Sequence, residues 1–175
     1  MTTPRPVRKD RPYADLARQH LPAMLDFAQR LIQTPSLSGE EGPIAQLVAG
    51  EMRALGYDEV WIDGVGNVIG VLRGRRPGST IQFNSHLDHV SPGDPAAWKY
   101  PPYAGVIAEG ALWGAGASDT KGAMAAQVYA IAGLRQASPD FAGDIYVVGV
   151  VQEETGAVGS RELVKTLPAD CVILG

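Results

Sequence analysis

The hydrophobic period of this sequence changes along the chain, and that change leaves few folds open to it. Up to about residue 56, apolar residues recur every three or four positions, which is typical of amphipathic helices. Beyond that point, short β-branched and aromatic runs alternate with helical stripes. We predict strands at 59–63, 67–72, 80–85, 144–151 and 171–174, and later helices at 121–137 and 159–167. This alternation predicts an α/β fold with one mixed, mostly parallel sheet and helices on both of its faces.

Proline and glycine residues set the expected limits of the other segments. A first helix is predicted to start at Pro22 and to end before Pro35. A second is predicted from Pro43 to a C-terminal cap at Gly56. Residues 89–105 are rich in proline and glycine and are predicted to form a long irregular loop, and loops of that length inside a domain are usually functional.

The composition of the chain bounds its size and its partners. With 175 residues, 45% of them hydrophobic, and a net charge of -4, the chain suits one domain, and we expect no nucleic-acid partner. Residues 1–12 are predicted to be a disordered basic lead-in, followed by one domain over 13–175. No apolar run approaches the roughly 20 residues of a membrane span, so we expect a cytoplasmic protein without a membrane partner. The single cysteine, Cys171, is predicted to lie on a buried strand.

The first of three polar motifs, residues 84–89, follows the third predicted strand. His86 and Asp88 are two residues apart, and on an extended segment this spacing points both side chains the same way. Asp88 could then accept a hydrogen bond from one imidazole nitrogen while the other nitrogen binds a metal. A pair of this kind is also common in surface polar clusters, so the pair alone leaves both interpretations open.

Carboxylates stand in the other two motifs. Asp119 lies between Gly116 and Gly122, whose conformational freedom allows a tight turn that presents the carboxylate, and the alternative is a helix cap. Glu153 and Glu154 follow a strongly apolar strand, where adjacent carboxylates repel each other unless cations or water screen them. The alternative for this pair is a solvated loop.

The three motifs together place one imidazole and four carboxylates at strand ends, with Lys121 as the nearby positive charge in sequence. Imidazole and carboxylate ligands without a thiolate suit zinc, or cobalt and manganese as substitutes, and a bridging carboxylate suggests two ions. Such a pair activates a shared water, and a neighbouring unligated carboxylate can carry its proton to a leaving amine. This chemistry is amide hydrolysis without a covalent intermediate.

Other chemistries lack their signatures in this sequence. The run from Gly114 to Asp119 is close to a dinucleotide-binding fingerprint, but a carboxylate replaces the third glycine and would repel a pyrophosphate. A phosphate-binding loop has glycine before lysine, whereas here Lys121 precedes Gly122, so this segment does not match that motif. Neither a Gly-x-Ser-x-Gly elbow nor a His-Glu-x-x-His helix occurs.

From about residue 22 to the end, the order and spacing of the motifs resemble the co-catalytic zinc peptidase and deacylase family. That family includes acetylornithine deacetylase, succinyl-diaminopimelate desuccinylase and glutamate carboxypeptidases. The resemblance implies a three-layer zinc-peptidase-like domain with two zinc ions that hydrolyses amide bonds in N-acyl amino acids or small peptides. It also implies that His86, Asp119 and Glu154 are metal ligands, with Asp119 bridging the two ions. Asp88 would orient His86, and Glu153 would be the general base and acid.

The same resemblance implies parts that this sequence does not contain. The family has a further carboxylate ligand, which would directly follow Gly175, and then a dimerisation domain and a distal histidine ligand. We therefore expect a truncated form that is weakly active or inactive alone, and whose full-length type is a homodimer. The alternative is a non-catalytic metal-binding fragment or interaction module that keeps the fold. Ala115 stands where many relatives have arginine, which removes no ligand.

Overall fold

The computed structural model describes residues 12–175, with four helices and seven strands in that range. The predicted lead-in, residues 1–12, lies outside the described residues except for the backbone of Pro12. The helices are α1 (Pro12–Ile32), α2 (Gly42–Ala54), α3 (Gly122–Ala137) and α4 (Val158–Thr166). The strands are β1 (Glu59–Ile62), β2 (Val68–Leu72), β3 (Ile81–His86), β4 (Val106–Ala108), β5 (Ala111–Trp113), β6 (Ile145–Val150) and β7 (Cys171–Leu174).

Five of the strands form one sheet in the order β1-β2-β6-β3-β7. Strand β2 is antiparallel to both β1 and β6, whereas β3 is parallel to β6 and to β7. Four of the five strands therefore run in the same direction, and the predicted mixed, mostly parallel sheet is confirmed. Strands β4 and β5 form a separate antiparallel hairpin that the sequence pattern did not predict, since three-residue strands are too short to show a period.

Helices cover both faces of the sheet, as the pattern predicts. Helices α1, α2 and α3 pack on one face, where their buried side chains meet Val68, Leu72 and Val147 of the central strands. Helix α4 covers the other face with Leu163, which packs among Ile69, Val71, Tyr146, Val148 and Val150. Strands β2 and β6 are buried along their whole length because both of their faces are covered, which explains their continuous apolar sequences. Within residues 12–175, no helix is both long and apolar enough to span a membrane.

Two sequence predictions are wrong at the ends of the described chain. Helix α1 begins at Pro12 rather than at Pro22, which lies inside the helix although a proline there removes one backbone hydrogen bond. Strand β7 is exposed rather than buried, since it lies at the sheet edge, and Leu174 is 77% exposed. Cys171 is accordingly an exposed thiol and not a buried filler.

Candidate metal centre

The three polar motifs meet at one edge of the sheet because of the parallel pairing of β3 and β6. His86, the last residue of β3, lies opposite Val150, the last residue of β6. The chain segments that follow both strands therefore leave the sheet side by side, which brings Asp88 next to Glu153 and Glu154. The carboxyl edge of parallel strands is where α/β proteins place their functional loops.

His86, Asp119 and Glu154 form a cluster that could hold a metal ion. One potential ligand atom from each residue lies within 4.8 Å of the others. The Nε2 atom of His86 is 2.8 Å from Oδ1 of Asp119. The imidazole is buried, whereas the two carboxylates are exposed. The cluster is therefore a partly exposed site, in which the histidine is buried and the two carboxylates are accessible to solvent.

The orientation of His86 is set by Asp88, but mainly through its backbone. The Nδ1 atom of His86 is 2.9 Å from the backbone carbonyl oxygen of Asp88, and the Asp88 carboxylate is 3.6 Å from the same nitrogen. Nδ1 donates its proton to this carbonyl, which leaves Nε2 to face the cluster. The predicted contact with the carboxylate is thus a Coulomb attraction rather than a hydrogen bond.

The charges around His86 favour its protonated form when no metal is bound. Burial lowers the pKa of His86, but the neighbouring oxygens of Asp88 and Asp119 outweigh burial and raise the pKa to about 9. The proton on Nε2 then lies between the imidazole and Asp119 and compensates the carboxylate charge. A cation at the same place would serve the same electrostatic need.

The Asp88 carboxylate is completely buried, at 0% exposure, and binds three hydrogen-bond donors. Ser38 donates its hydroxyl proton over 2.6 Å, and the backbone N–H groups of Glu153 and Glu154 donate over 3.0 and 3.1 Å. Burial raises the pKa of Asp88, but these bonds and His86 outweigh it and lower the pKa to about 2. Asp88 is therefore an ionised carboxylate that ties the first motif to the third.

Asp119 lies in an irregular turn, residues 117–121, that leads into α3. Gly116 enters the turn with a φ of 72°, a conformation that favours glycine, and the Asp119–Thr120 peptide bond is cis. Thr120 donates its hydroxyl proton to the backbone oxygen of His86 over 3.0 Å, and Lys121 donates to the backbone oxygen of Thr34 over 2.8 Å. No side chain caps the N-terminus of α3 in the described structure, so the interpretation of Asp119 as a helix cap is wrong.

The structure separates the two adjacent glutamates of the third motif. Both residues are exposed, but only Glu154 belongs to the cluster with His86 and Asp119. The backbone N–H groups of both residues donate to the Asp88 carboxylate. The arrangement leaves Glu153 free of the cluster and next to it.

The donor atoms of the cluster fit a divalent transition metal. One imidazole nitrogen and two carboxylate oxygens make a set of three protein ligands, which is the number found in sites that keep an open coordination position. The tautomer is fixed by Asp88, as is usual for histidine ligands. Nitrogen and oxygen donors without sulfur suit zinc, cobalt or manganese.

Several residues near the centre were not predicted from the sequence. The Ser38 hydroxyl donates to Asp88, and the side chains of Glu41 and Asn67 accept the backbone N–H groups of Gln152 and Val151, directly before Glu153. His89 is buried, donates from Nδ1 to the backbone oxygen of Val90, and accepts the N–H of Ser36 at Nε2. These contacts join segments far apart in sequence, and no local pattern announces them.

The comparisons with known proteins identify the peptidase family to which the chain belongs. Residues 82–175 match the Peptidase family M20/M25/M40, and the chain belongs to this family. The family predicted from the motifs is thereby confirmed. The succinyl-diaminopimelate desuccinylase of Halorhodospira halophila is 38% identical over 150 residues, which cover 84% of this chain and 39% of that enzyme. The enzyme of the same name from Paracoccus denitrificans is 35% identical, over 85% of this chain and 40% of that enzyme.

Solved structures support the fold. Human carnosine dipeptidase 1 matches with a TM-score of 0.81 and 21% identity, over 98% of this chain and 42% of that one. The di-peptidase Dug1p from Saccharomyces cerevisiae matches with a TM-score of 0.82 and 16% identity, over 94% of this chain and 40% of that one. These matches confirm the predicted zinc-peptidase-like architecture. The chain spans about two fifths of the length of the curated relatives it matches.

Proposed function

We propose that this chain is the metal-binding part of a hydrolase that cleaves amide bonds in N-acyl amino acids or small peptides. The observation that carries the proposal is the cluster of His86, Asp119 and Glu154 at the carboxyl edge of β3 and β6. Membership of the M20 family makes a hydrolytic role for such a cluster the natural interpretation.

Each residue has a proposed role that follows from its position. His86 would hold zinc through its Nε2 lone pair, and Asp119 and Glu154 would hold it through carboxylate oxygens. Bound zinc would polarise the scissile carbonyl and lower the pKa of the attacking water. Asp88 holds the tautomer of His86 and the backbone of the third motif.

Glu153 is the proposed general base and acid. Its carboxylate is exposed beside the cluster and is free to accept a proton from the attacking water. It would then deliver that proton to the leaving nitrogen. In the overall reaction the C–N bond breaks, the acyl carbon gains hydroxyl and the amine gains hydrogen.

The proposed substrate class rests on the names of the relatives. Two relatives at 38% and 35% identity are desuccinylases, which supports an N-acyl amino acid, and a small peptide is the neighbouring possibility within the same reaction type. We further propose a homodimer for the full-length type and a cytoplasmic location. Cobalt or manganese would be acceptable substitutes for zinc on the same ligands.

The Glu153→Gln variant tests the proposed reaction. We expect unchanged zinc content in the 175-residue chain, and at least a ~100-fold loss of N-succinyl amino acid hydrolysis in a version extended to the length of the relatives. Glu162→Gln is the matched control, because Glu162 lies on α4 and pairs with Lys165 at the surface. Loss of zinc together with activity would refute Glu153 as the base. Zinc binding without hydrolysis in either length of wild-type chain would favour the non-catalytic alternative.

A further inference from the structure

The turn that carries Glu153 and Glu154 is held by side chains rather than by regular secondary structure. Four consecutive backbone N–H groups, those of residues 151–154, each donate to a side-chain oxygen from another part of the chain. The bonds are Val151 to Asn67 Oδ1 (3.1 Å), Gln152 to Glu41 Oε1 (2.8 Å), Glu153 to Asp88 Oδ1 (3.0 Å) and Glu154 to Asp88 Oδ2 (3.1 Å). The three acceptor residues are at most 4% exposed. The backbone of the proposed base and ligand is therefore built on three buried acceptors.

The second of these bonds lies at the point where the chain changes direction after β6. Gln152 has a φ of 53°, in the left-handed region that residues other than glycine adopt only at a cost. This conformation turns the following residues over Asp88, so that both of their N–H groups point at its carboxylate. A residue that holds Gln152 in this conformation thus controls where Glu153 and Glu154 lie.

Glu41 is placed to do this, and its burial needs an explanation. Its two carboxylate oxygens accept the N–H groups of Gly39 and Gln152, over 2.9 and 2.8 Å. Among residues 12–175 the Glu41 carboxylate takes part in no ion pair. Burying a carboxylate without a cation is costly, and the partial positive charge at the N-terminus of α2, which follows Glu41 directly, offsets only part of that cost.

We propose that Glu41 is a positioning residue for the candidate metal centre, which holds the left-handed turn at Gln152 and so aims Glu154 at the cluster and Glu153 beside it. A carboxylate suits this task better than an amide. Both of its oxygens accept hydrogen bonds, whereas a glutamine has one oxygen for two N–H donors. The inference rests on the proposed metal-binding function of the cluster.

The test compares Glu41→Gln with Glu40→Gln, its exposed neighbour in sequence, in the 175-residue chain. We expect the Glu41 variant to bind zinc about 10-fold to 100-fold more weakly, which is the usual effect of losing a group that supports a ligand. We expect the Glu40 variant to match wild type. Adding Gln152→Gly to the Glu41 variant should restore part of the lost affinity, because glycine adopts a positive φ freely. A rescue of this kind would not follow from a general loss of stability.

Backbone amide exchange gives a second readout that needs neither zinc nor activity. In wild type the amides of 152–154 should exchange slowly although the side chains of Glu153 and Glu154 are exposed. In the Glu41 variant these amides should exchange faster, while those of β6 stay protected. Fast exchange at 152–154 in the wild-type chain would overturn the inference, even if the variant failed to fold. Unchanged zinc affinity and unchanged exchange in a folded Glu41→Gln variant would also overturn it. A wild-type chain that binds no zinc would refute the proposed function, and the exchange data would still decide the role of Glu41.

Discussion

Replacement of Asp88 by asparagine should destabilise the metal-free chain by about 2–3 kcal/mol at pH 7. The hydrogen bonds give one value. The two carboxylate oxygens of Asp88 accept bonds from Ser38, Glu153 and Glu154, whereas an asparagine has a single acceptor oxygen. A buried donor left without a partner costs about 1–3 kcal/mol. A second comes from the pKa of Asp88, which is about 2 in the folded chain against 3.8 for a free aspartate. At about 1.4 kcal/mol per pH unit, this shift corresponds to roughly 2–3 kcal/mol.

The pH dependence of this loss has a definite sign. Because the folded pKa of Asp88 is lowered, its carboxylate stabilises the native state fully above about pH 4, and this contribution disappears as the pH falls towards 2. Urea unfolding of both proteins with a chelator present, at pH 7, 5 and 3.5, measures the difference. Asp94→Asn is the control, since Asp94 caps only a short exposed turn. A difference below about 0.5 kcal/mol at pH 7, or one that does not shrink below pH 4, would refute the role assigned to the buried carboxylate.

Two further predictions concern buried groups around the centre. In Gly159→Ala, the new Cβ would overlap Asn67 and lie 2.7 Å from the nitrogen of Val151. The melting temperature should therefore fall by an amount equivalent to about 1–3 kcal/mol. The control is Gly50→Ala, which lies in open space on α2 and should be neutral or stabilising. Burial lowers the pKa of Lys121 to about 8. Between about pH 8 and 10 the Lys121 amine is protonated in the unfolded chain but not in the folded chain, so the free energy of unfolding of the wild type should rise with pH. Lys121→Met should flatten that rise in urea titrations at pH 7, 9 and 10, and a rise of unchanged size would assign it to another group.

The sequence predicted the sheet well where the period was long enough to read. Strand β6 is a continuous apolar run because both of its faces are covered, and α2 ends two residues before Gly56, which has a φ of 79°. The start of α1 was missed because Pro22 was interpreted as a first helical residue. Strand β7 was predicted to be buried because its apolar sequence cannot report that it lies at an edge.

The candidate site was predictable in part for a similar reason. His86 ends β3, Glu154 follows β6 and Asp119 precedes α3. The type of each of these elements could be read from the sequence, and the parallel pairing of β3 and β6 brings their carboxyl ends together. Glu41 lies 111 residues from Gln152 along the chain, and its bond depends on a loop conformation that no local pattern records. The hydrogen bond from His86 to the backbone of Asp88, rather than to its carboxylate, depends equally on geometry.

A calorimetric titration of the purified 175-residue chain with zinc, beside the Asp119→Asn variant, tests whether the cluster is a metal site. The account predicts saturable binding by the wild-type chain and at least a ~10-fold weaker affinity in the variant, because Asp119 faces His86 Nε2 at 2.8 Å and supplies one of three ligand groups. Absence of saturable binding, or equal affinity in the two proteins, would mean that the carboxylates at this sheet edge are ordinary surface charge.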